Sequence, residues 1–313
     1  MKKEKKKILK RKLAWISLRV FTVLNGILPL KAAYLSGLIF GRMAFIFLKR
    51  HRDIAVESLA VAFPELSKIK LRSIARDSFV CIAQSSLEIF YFRKKNNELK
   101  NIRIEGAENL DAALKKGKGV VFVTAHFGNF PILLLKLAKQ GYPVNVVLRP
   151  MRDSKTGEYI QNLCWSSGIK TILSSPRREC VNAILKALRA NEIVVILMDQ
   201  NFGTGGVWVK FFGKLAATPV GPIIFALRAN SALVPGYIYR ESPGKHCLKI
   251  FPEQQLVSTG NKDESVLLNA VKITNLIQSW IIQFPEQWGW IHRRWKSRPS
   301  AKVKNIPFRV EKD

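Results

Sequence analysis

An α/β fold is expected for this chain, with a mostly parallel central sheet flanked by helices and an N-terminal helical membrane anchor. Continuous Val- and Ile-rich runs, Gly119–Ala125 (GVVFVTA) and Glu192–Met198 (EIVVILM), read as strands buried on both faces, as parallel sheets require. Helical patterns alternate with such runs from about residue 100 onward. A long apolar stretch, Leu13–Leu48, follows a basic arm at the amino end.

The arm comes first. Residues 1–12 hold eight Lys or Arg and one Glu. Leu13–Leu30 then has 18 residues with one charge, Arg19, at the lower limit for a spanning helix. Pro29 divides the stretch, and Ala32–Leu48 carries Gly37 and Gly41 at the spacing of a small-xxx-small helix contact. Arg19 inside the apolar run, with no clear A-x-A site after it, argues against a cleaved signal peptide. Three arrangements stay open: a single spanning anchor, a pair of helices lying in the interface, and two buried amphipathic helices. In the first two, the cluster Lys49, Arg50, His51 and Arg52 meets anionic headgroups. The expected division is 1–50 as basic arm and hydrophobic membrane-anchoring helices, and 51–313 as the main body.

Within the body, Asn129 is expected to cap a helix running to about Gln140, with Pro131 in its first turn, where a missing N–H costs little. Pro143–Leu148 reads as the next strand, and residues 153–167 and 177–190 as helices. Thr218–Asn230 reads as a helix, Ala232–Tyr239 and His246–Phe251 as strands, and residues 262–284 as a long amphipathic helix. No repeat or low-complexity tract interrupts the pattern.

Charge narrows the function classes. The chain has 52 Lys+Arg against 22 Asp+Glu, a net of +30, which attracts polyanions. Nucleic acid and anionic lipid are the common ones. The basic residues are strewn along the chain, no helix-turn-helix, RNP or zinc pattern is evident, and the leading segment is very apolar. Anionic membrane lipids are therefore the expected partner, and nucleic acid is not. Cys81, Cys164, Cys180 and Cys247 have neither zinc-ligand spacing nor a disulfide framework, so buried or half-buried thiols are expected. The four histidines form no HExxH-type motif, and no metal is expected.

Functional groups of open α/β folds gather at the carboxyl ends of the strands. Two polar clusters lie there: Thr124–Phe130 (TAHFGNF) and Met198–Gly203 (MDQNFG). His126 follows a buried strand and precedes a helix start, beside N–H groups suited to an oxyanion. The plainer alternative is a structural histidine bonded to a loop carbonyl, and for Asp199 a turn or cap residue. Arg293 and Arg294 sit beside Trp288, Trp290 and Trp295. Near a membrane that mix reads as an interfacial belt; a core aromatic cluster with surface charges is the alternative.

Five segments in order resemble the bacterial lipid A biosynthesis acyltransferases, the lauroyl and myristoyl transferases of the lysophospholipid acyltransferase superfamily. Ala62–Leu66 (AFPEL) is similar to that family's AFPEL segment, and His126–Phe130 (HFGNF) to its HxGNW block. Met198–Gly203 (MDQNFG), with Phe211–Gly213 (FFG) and Ala217–Pro219 (ATP) after it, is similar to its DQDxG…FFG…ATP region. Trp290–Pro299 (WIHRRWKSRP) resembles its W-x-HRRFKTRP end. Two positions depart from the pattern. Where the family places an acidic residue five positions after the His, this chain has Pro131, and Ile169 stands where an Arg follows a Gly.

The resemblance implies an O-acyltransferase of the inner membrane, with its catalytic domain on the cytoplasmic face. It would move a fatty acyl chain from acyl carrier protein or acyl-CoA, as donor substrate and with no cofactor, to a hydroxyl of a lipid A precursor or related glycolipid. A lysophospholipid or other membrane-lipid acceptor, or a non-catalytic lipid-binding homologue, is the alternative. His126 is the expected general base, with Asp199 or a backbone carbonyl fixing its other ring nitrogen. Gly128 and Asn129, with Gln200, Gly203, Arg293 and Arg294, are expected at the substrate. Arg149 and Arg152 are expected there too, clamping phosphates of the acceptor or of the donor's phosphopantetheine arm.

Overall fold

The computed structural model describes residues 29–151, 153–203 and 205–299. The basic arm, the first half of the apolar stretch and Arg152 lie outside the described residues.

Three helices open the described chain: α1 (Leu30–Phe47), α2 (Lys49–Ala62) and α3 (Lys68–Lys94). Sequence periodicity left residues 51–100 unassigned, yet the signals are local. Ser67 caps α3 by accepting the Lys70 N–H at 3.3 Å, and Arg93 and Lys94 sit in the last turn, against the negative end of the helix dipole. Gly37 and Gly41 do make the close helix contact their spacing suggests. A Cβ at Gly41 would lie 2.4 Å from Val80 Cα, so α1 rests almost backbone to backbone on α3.

The body is a seven-stranded sheet flanked by helices, as expected. Its strands are β1 (Arg103–Glu105), β2 (Val120–Thr124), β3 (Val144–Leu148), β4 (Lys170–Leu173), β5 (Ile193–Leu197), β8 (Ala232–Ser242) and β9 (Lys245–Ile250). They lie in the order β1-β9-β8-β2-β5-β3-β4. All neighbours are parallel except β8 and β9, which form an antiparallel hairpin. The interleaved helices are α4 (Ala107–Lys115), α5 (Phe130–Lys139), α6 (Ser154–Trp165), α7 (Arg177–Arg189), α8 (Gly221–Ala229) and α9 (Lys262–Gln283).

β2 shows why the central strands are continuously apolar. Val121 and Val123 join one core with α2, α3, α7, α8 and α9; Val120 and Phe122 join another with α4 and α5. Both faces of the sheet are covered, so neither can be polar. α9 is started by Asn261, whose side chain accepts the Asp263 and Glu264 N–H groups at 2.9 and 3.2 Å. Its inward stripe of Val266, Ala270, Ile273, Ile277 and Trp280 is core.

One expectation changes. The helix read at Thr218–Asn230 begins at Gly221, because Thr218 ends β7 (Lys214–Thr218), which pairs with β6 (Val207–Phe211) in a separate hairpin. The segment before it is short and only partly apolar, so its period-2 pattern does not stand out. The four cysteines are free, with three buried and Cys164 half-buried.

Candidate active site

β2 and β5 are parallel neighbours in register, with Thr124 opposite Leu197. Two residues past each partner stand His126 and Asp199, so the two polar clusters meet at one end of the sheet centre. The His126 backbone N–H donates to Asp199 Oδ2 at 3.0 Å, and the ring Nδ1 lies 2.9 Å from Asp199 Oδ1. A third donor comes from the carboxyl end of the chain: Trp288 Nε1 donates to Asp199 Oδ2 at 2.8 Å.

This arrangement assigns the tautomer. An ionised carboxylate only accepts, so Nδ1 carries the proton and Nε2 presents its lone pair. The His126 side chain is 35% exposed while that of Asp199 is 1% exposed, so the ring reaches solvent and its partner does not. Burial pulls the His126 pKa down, but the charge of Asp199 and its hydrogen bond outweigh this and leave it raised. Burial pushes Asp199 up, and the charge and hydrogen bond of His126, with the Trp288 and backbone donors, bring it below the usual carboxylate range.

The turn after His126 is tightly specified. Gly128 has φ +55°, and a Cβ there would fall 1.9 Å from the Ile238 carbonyl oxygen, so only glycine fits. Its N–H donates to the Gln287 carbonyl at 2.8 Å, which takes it out of the set of oxyanion donors expected around Gly128–Phe130. The N–H groups of Asn129 and Phe130 remain at the start of α5, where helix geometry leaves the first amides without intrahelical acceptors. Pro131 occupies the first turn, as expected. Asn129 stands at the cap position, but its side chain does not cap. It is fully buried, and Nδ2 donates to the Ser85 carbonyl at 3.0 Å and to Glu88 Oε2 at 2.9 Å. The expectation that the Asn129 side chain caps this helix is corrected accordingly.

The second cluster is closed from behind by residues 288–299. His292 Nε2 accepts the Asn201 N–H at 2.9 Å, so that ring is the neutral Nδ1–H form, and burial lowers its pKa in keeping. Asn201 Nδ2 donates to Ser297 Oγ at 3.1 Å. Arg294, expected at the substrate, is instead interior. Its guanidinium donates to the Ala217 carbonyl at 2.5 Å and Thr218 Oγ1 at 2.6 Å and lies over the Phe211 ring. Burial draws it down to about 10. It ties the β7 end to the strand-end loops. Trp288 and Trp290 are buried with it, their rings 4.6 Å apart and edge to face. The interfacial-belt reading of these tryptophans therefore gives way to an aromatic core.

The remaining expected residues that the structure describes lie on loops at this end of the sheet. Gln200 is half-buried beside Asp199, and Gly203 makes an open left-handed turn with φ +70° and no atom within 4 Å of a Cβ. Arg149 is exposed just past β3, the strand next to β5, and Arg293 is exposed on the closing segment. Sequence reasoning missed Trp288 as a carboxylate partner, and Glu88 altogether. Glu88 sits mid-helix among residues that form no motif, and only the fold brings it to the turn.

A family model described as bacterial lipid A biosynthesis acyltransferase matches residues 1–297. The chain belongs to this acyltransferase family. The lipid A biosynthesis lauroyltransferase of Escherichia coli (strain K12) is 25% identical over 297 residues, covering 92% of this chain and 93% of that protein. The lipid A biosynthesis palmitoleoyltransferase of the same organism is 26% identical over 279 residues, or 87% of each. A phosphatidylinositol mannoside acyltransferase of Mycobacterium tuberculosis (strain ATCC 25618 / H37Rv) is 28% identical over 153 residues, 49% of this chain and 48% of that protein. In this lipid A acyltransferase homologue, the carboxylate on the His126 ring comes from Asp199 at the end of β5, and Pro131 stands at the downstream position where the family pattern has an acid.

Proposed function

We propose that the protein transfers a fatty acyl chain from a thioester donor, acyl carrier protein or acyl-CoA, to a hydroxyl of a lipid A precursor or related glycolipid. The observation that carries this reading is the His126–Asp199 pair, with no hydrogen-bond partner for Nε2 among the described residues, on a half-exposed ring beside the start of α5. Nε2 takes the proton of the acceptor hydroxyl as its oxygen attacks the thioester carbonyl. The carbonyl oxygen becomes an oxyanion facing the Asn129 and Phe130 N–H groups. As the C–O bond completes and the C–S bond breaks, the imidazolium returns its proton to the departing thiolate. Asp199 holds the ring in the required tautomer and stabilises the imidazolium throughout.

Membrane contact is assigned to α1. Its inner face is held on α3 by Gly37 and Gly41, while Leu35, Ile39, Phe40, Met43, Ile46 and Phe47 are exposed, Phe47 by 70%. By length and composition α1 is able to cross a membrane. Lying flat along α3, with that apolar face in lipid and Arg42, Lys49 and Arg50 at the headgroups, satisfies both its faces. The inner membrane, with the catalytic domain on the cytoplasmic face, is the proposed setting.

The likeness to phosphatidylinositol mannoside acyltransferases favours a second acceptor class, a glycosylated phospholipid. Mass spectrometry of lipids from cells with the protein, without it, and with Asp199→Asn decides between the two. The expected result is that lipid A species lose one acyl chain in the second and third cultures. Loss confined to glycosylated phospholipids selects the second acceptor, and unchanged lipids in all three cultures refute the transferase reading.

A further inference from the structure

Glu88 is the most unusual charged group away from the reacting atoms. It lies inside the protein on α3, 1% exposed, and four donors converge on it. His246 Nε2 lies 2.8 Å from Oε1; Arg240 reaches Oε1 through Nε at 3.3 Å and Oε2 through Nη2 at 2.7 Å; Asn129 Nδ2 donates to Oε2 at 2.9 Å. Burial pushes its pKa up, but the His246 hydrogen bond and the charge of Arg240 prevail and hold it at about 2. A buried ion cluster adds little stability over apolar packing, so its presence calls for a further reason.

We propose that Glu88 is a positioning residue for acyl transfer, aiming the Asn129 and Phe130 N–H groups at the oxyanion through the Asn129 side chain. The inference rests on the reaction assigned above. The two groups facing Asn129 Nδ2, the Ser85 carbonyl and the Glu88 carboxylate, both accept, which fixes the amide's orientation and with it the backbone that carries the first N–H. A second route leads to the same turn. The Arg240 N–H donates to Gln287 Oε1 at 2.8 Å, Gln287 Nε2 donates back to the Arg240 carbonyl at 2.9 Å, and the Gln287 carbonyl accepts the Gly128 N–H at 2.8 Å. Glu88 thus grips consecutive residues of the turn, one directly and one through Arg240. Neither route touches the His126 ring or Asp199, so base strength and donor position are set by separate parts of the fold.

That separation makes the test. Steady-state transfer from an acyl thioester to a lipid A precursor in micelles is measured for Glu88→Gln, Asn129→Ser and the double variant, per folded molecule, across pH. Each variant is expected to lower kcat by about 10²–10³-fold, the size of one lost oxyanion donor, with KM within about threefold. The acidic limb of the pH profile is expected to stay in place, and the double variant to be no worse than the weaker single one. Should Glu88→Gln fail to fold because Arg240 loses its counter-charge, Asn129→Ser decides alone. A kcat for folded Asn129→Ser within threefold of wild type overturns the proposal, and so does a multiplicative double variant. His126→Ala in the same assay keeps the two readings apart: full activity there removes the base, whatever Glu88 does.

Discussion

Asp199 holds its carboxylate with three donors, and the Trp288 indole is the one that is not part of the His126 residue. Each donor draws charge from the carboxylate, so removing the indole N–H leaves more charge facing the imidazole. The sign follows from linkage: a stronger negative charge favours the imidazolium and raises the His126 pKa, and the base works only when neutral. The other charged or titratable groups coupled to the pair, His292 to the ring and Arg294 to Asp199, are not altered by this substitution. Trp288→Phe keeps a ring against Phe211 and Trp290, and it is predicted to move the acidic limb of activity up by about half to one pH unit. Trp290→Phe, whose indole bonds the Pro285 carbonyl, is predicted to leave the limb unmoved. An unmoved limb in Trp288→Phe contradicts the account. The sequence itself pointed to His126 and Asp199 because both follow buried strands. It did not show that Asn129 and Arg294 turn inward, because a polar residue in a motif looks the same whether it meets substrate or braces a loop.

Among the elements, α1 carries the most direct prediction. Its inner glycines allow contact with Val80 and Gln84, while its outer face is six large apolar side chains. Burying each of these in lipid is worth about 1.5–3 kcal/mol, so losing two weakens membrane binding by well over tenfold. Ile39→Glu with Ile46→Glu is predicted to release the protein from anionic vesicles in flotation while leaving transfer to micellar acceptor within about threefold. Undiminished flotation places the lipid contact elsewhere. The long apolar helix α9 meets the same length and composition criterion, but its inward stripe is core. Only burial separates the two helices, and hydropathy does not report it. The glycine spacing in α1 was readable in advance, and so were the central strands, since both are patterns within one segment. β1 and β4 were not, because such short strands are stabilised by partners distant in sequence, and the β6–β7 hairpin was not, because its strands are short and only partly apolar.

Across the whole molecule, α3 links the proposed acyl-transfer centre at the carboxyl ends of β2 and β5 to the apolar face on α1. That helix packs under α1 with Val80 and Gln84 and reaches the turn after His126 with Ser85 and Glu88. Sheet order decides which polar clusters meet. Alternating strands and helices announce a parallel sheet, but that β5 lies beside β2, and so brings Asp199 to His126, depends on how the intervening crossovers pack. The central claim is that the His126 ring is the base. The measurement closest to it is single-turnover transfer of a labelled acyl chain from thioester to lipid A precursor by wild type and His126→Ala at equal membrane-bound amounts. A loss of about 10²–10⁴-fold with membrane binding retained is the predicted result, the usual worth of a general base. Wild-type transfer by the variant contradicts the account.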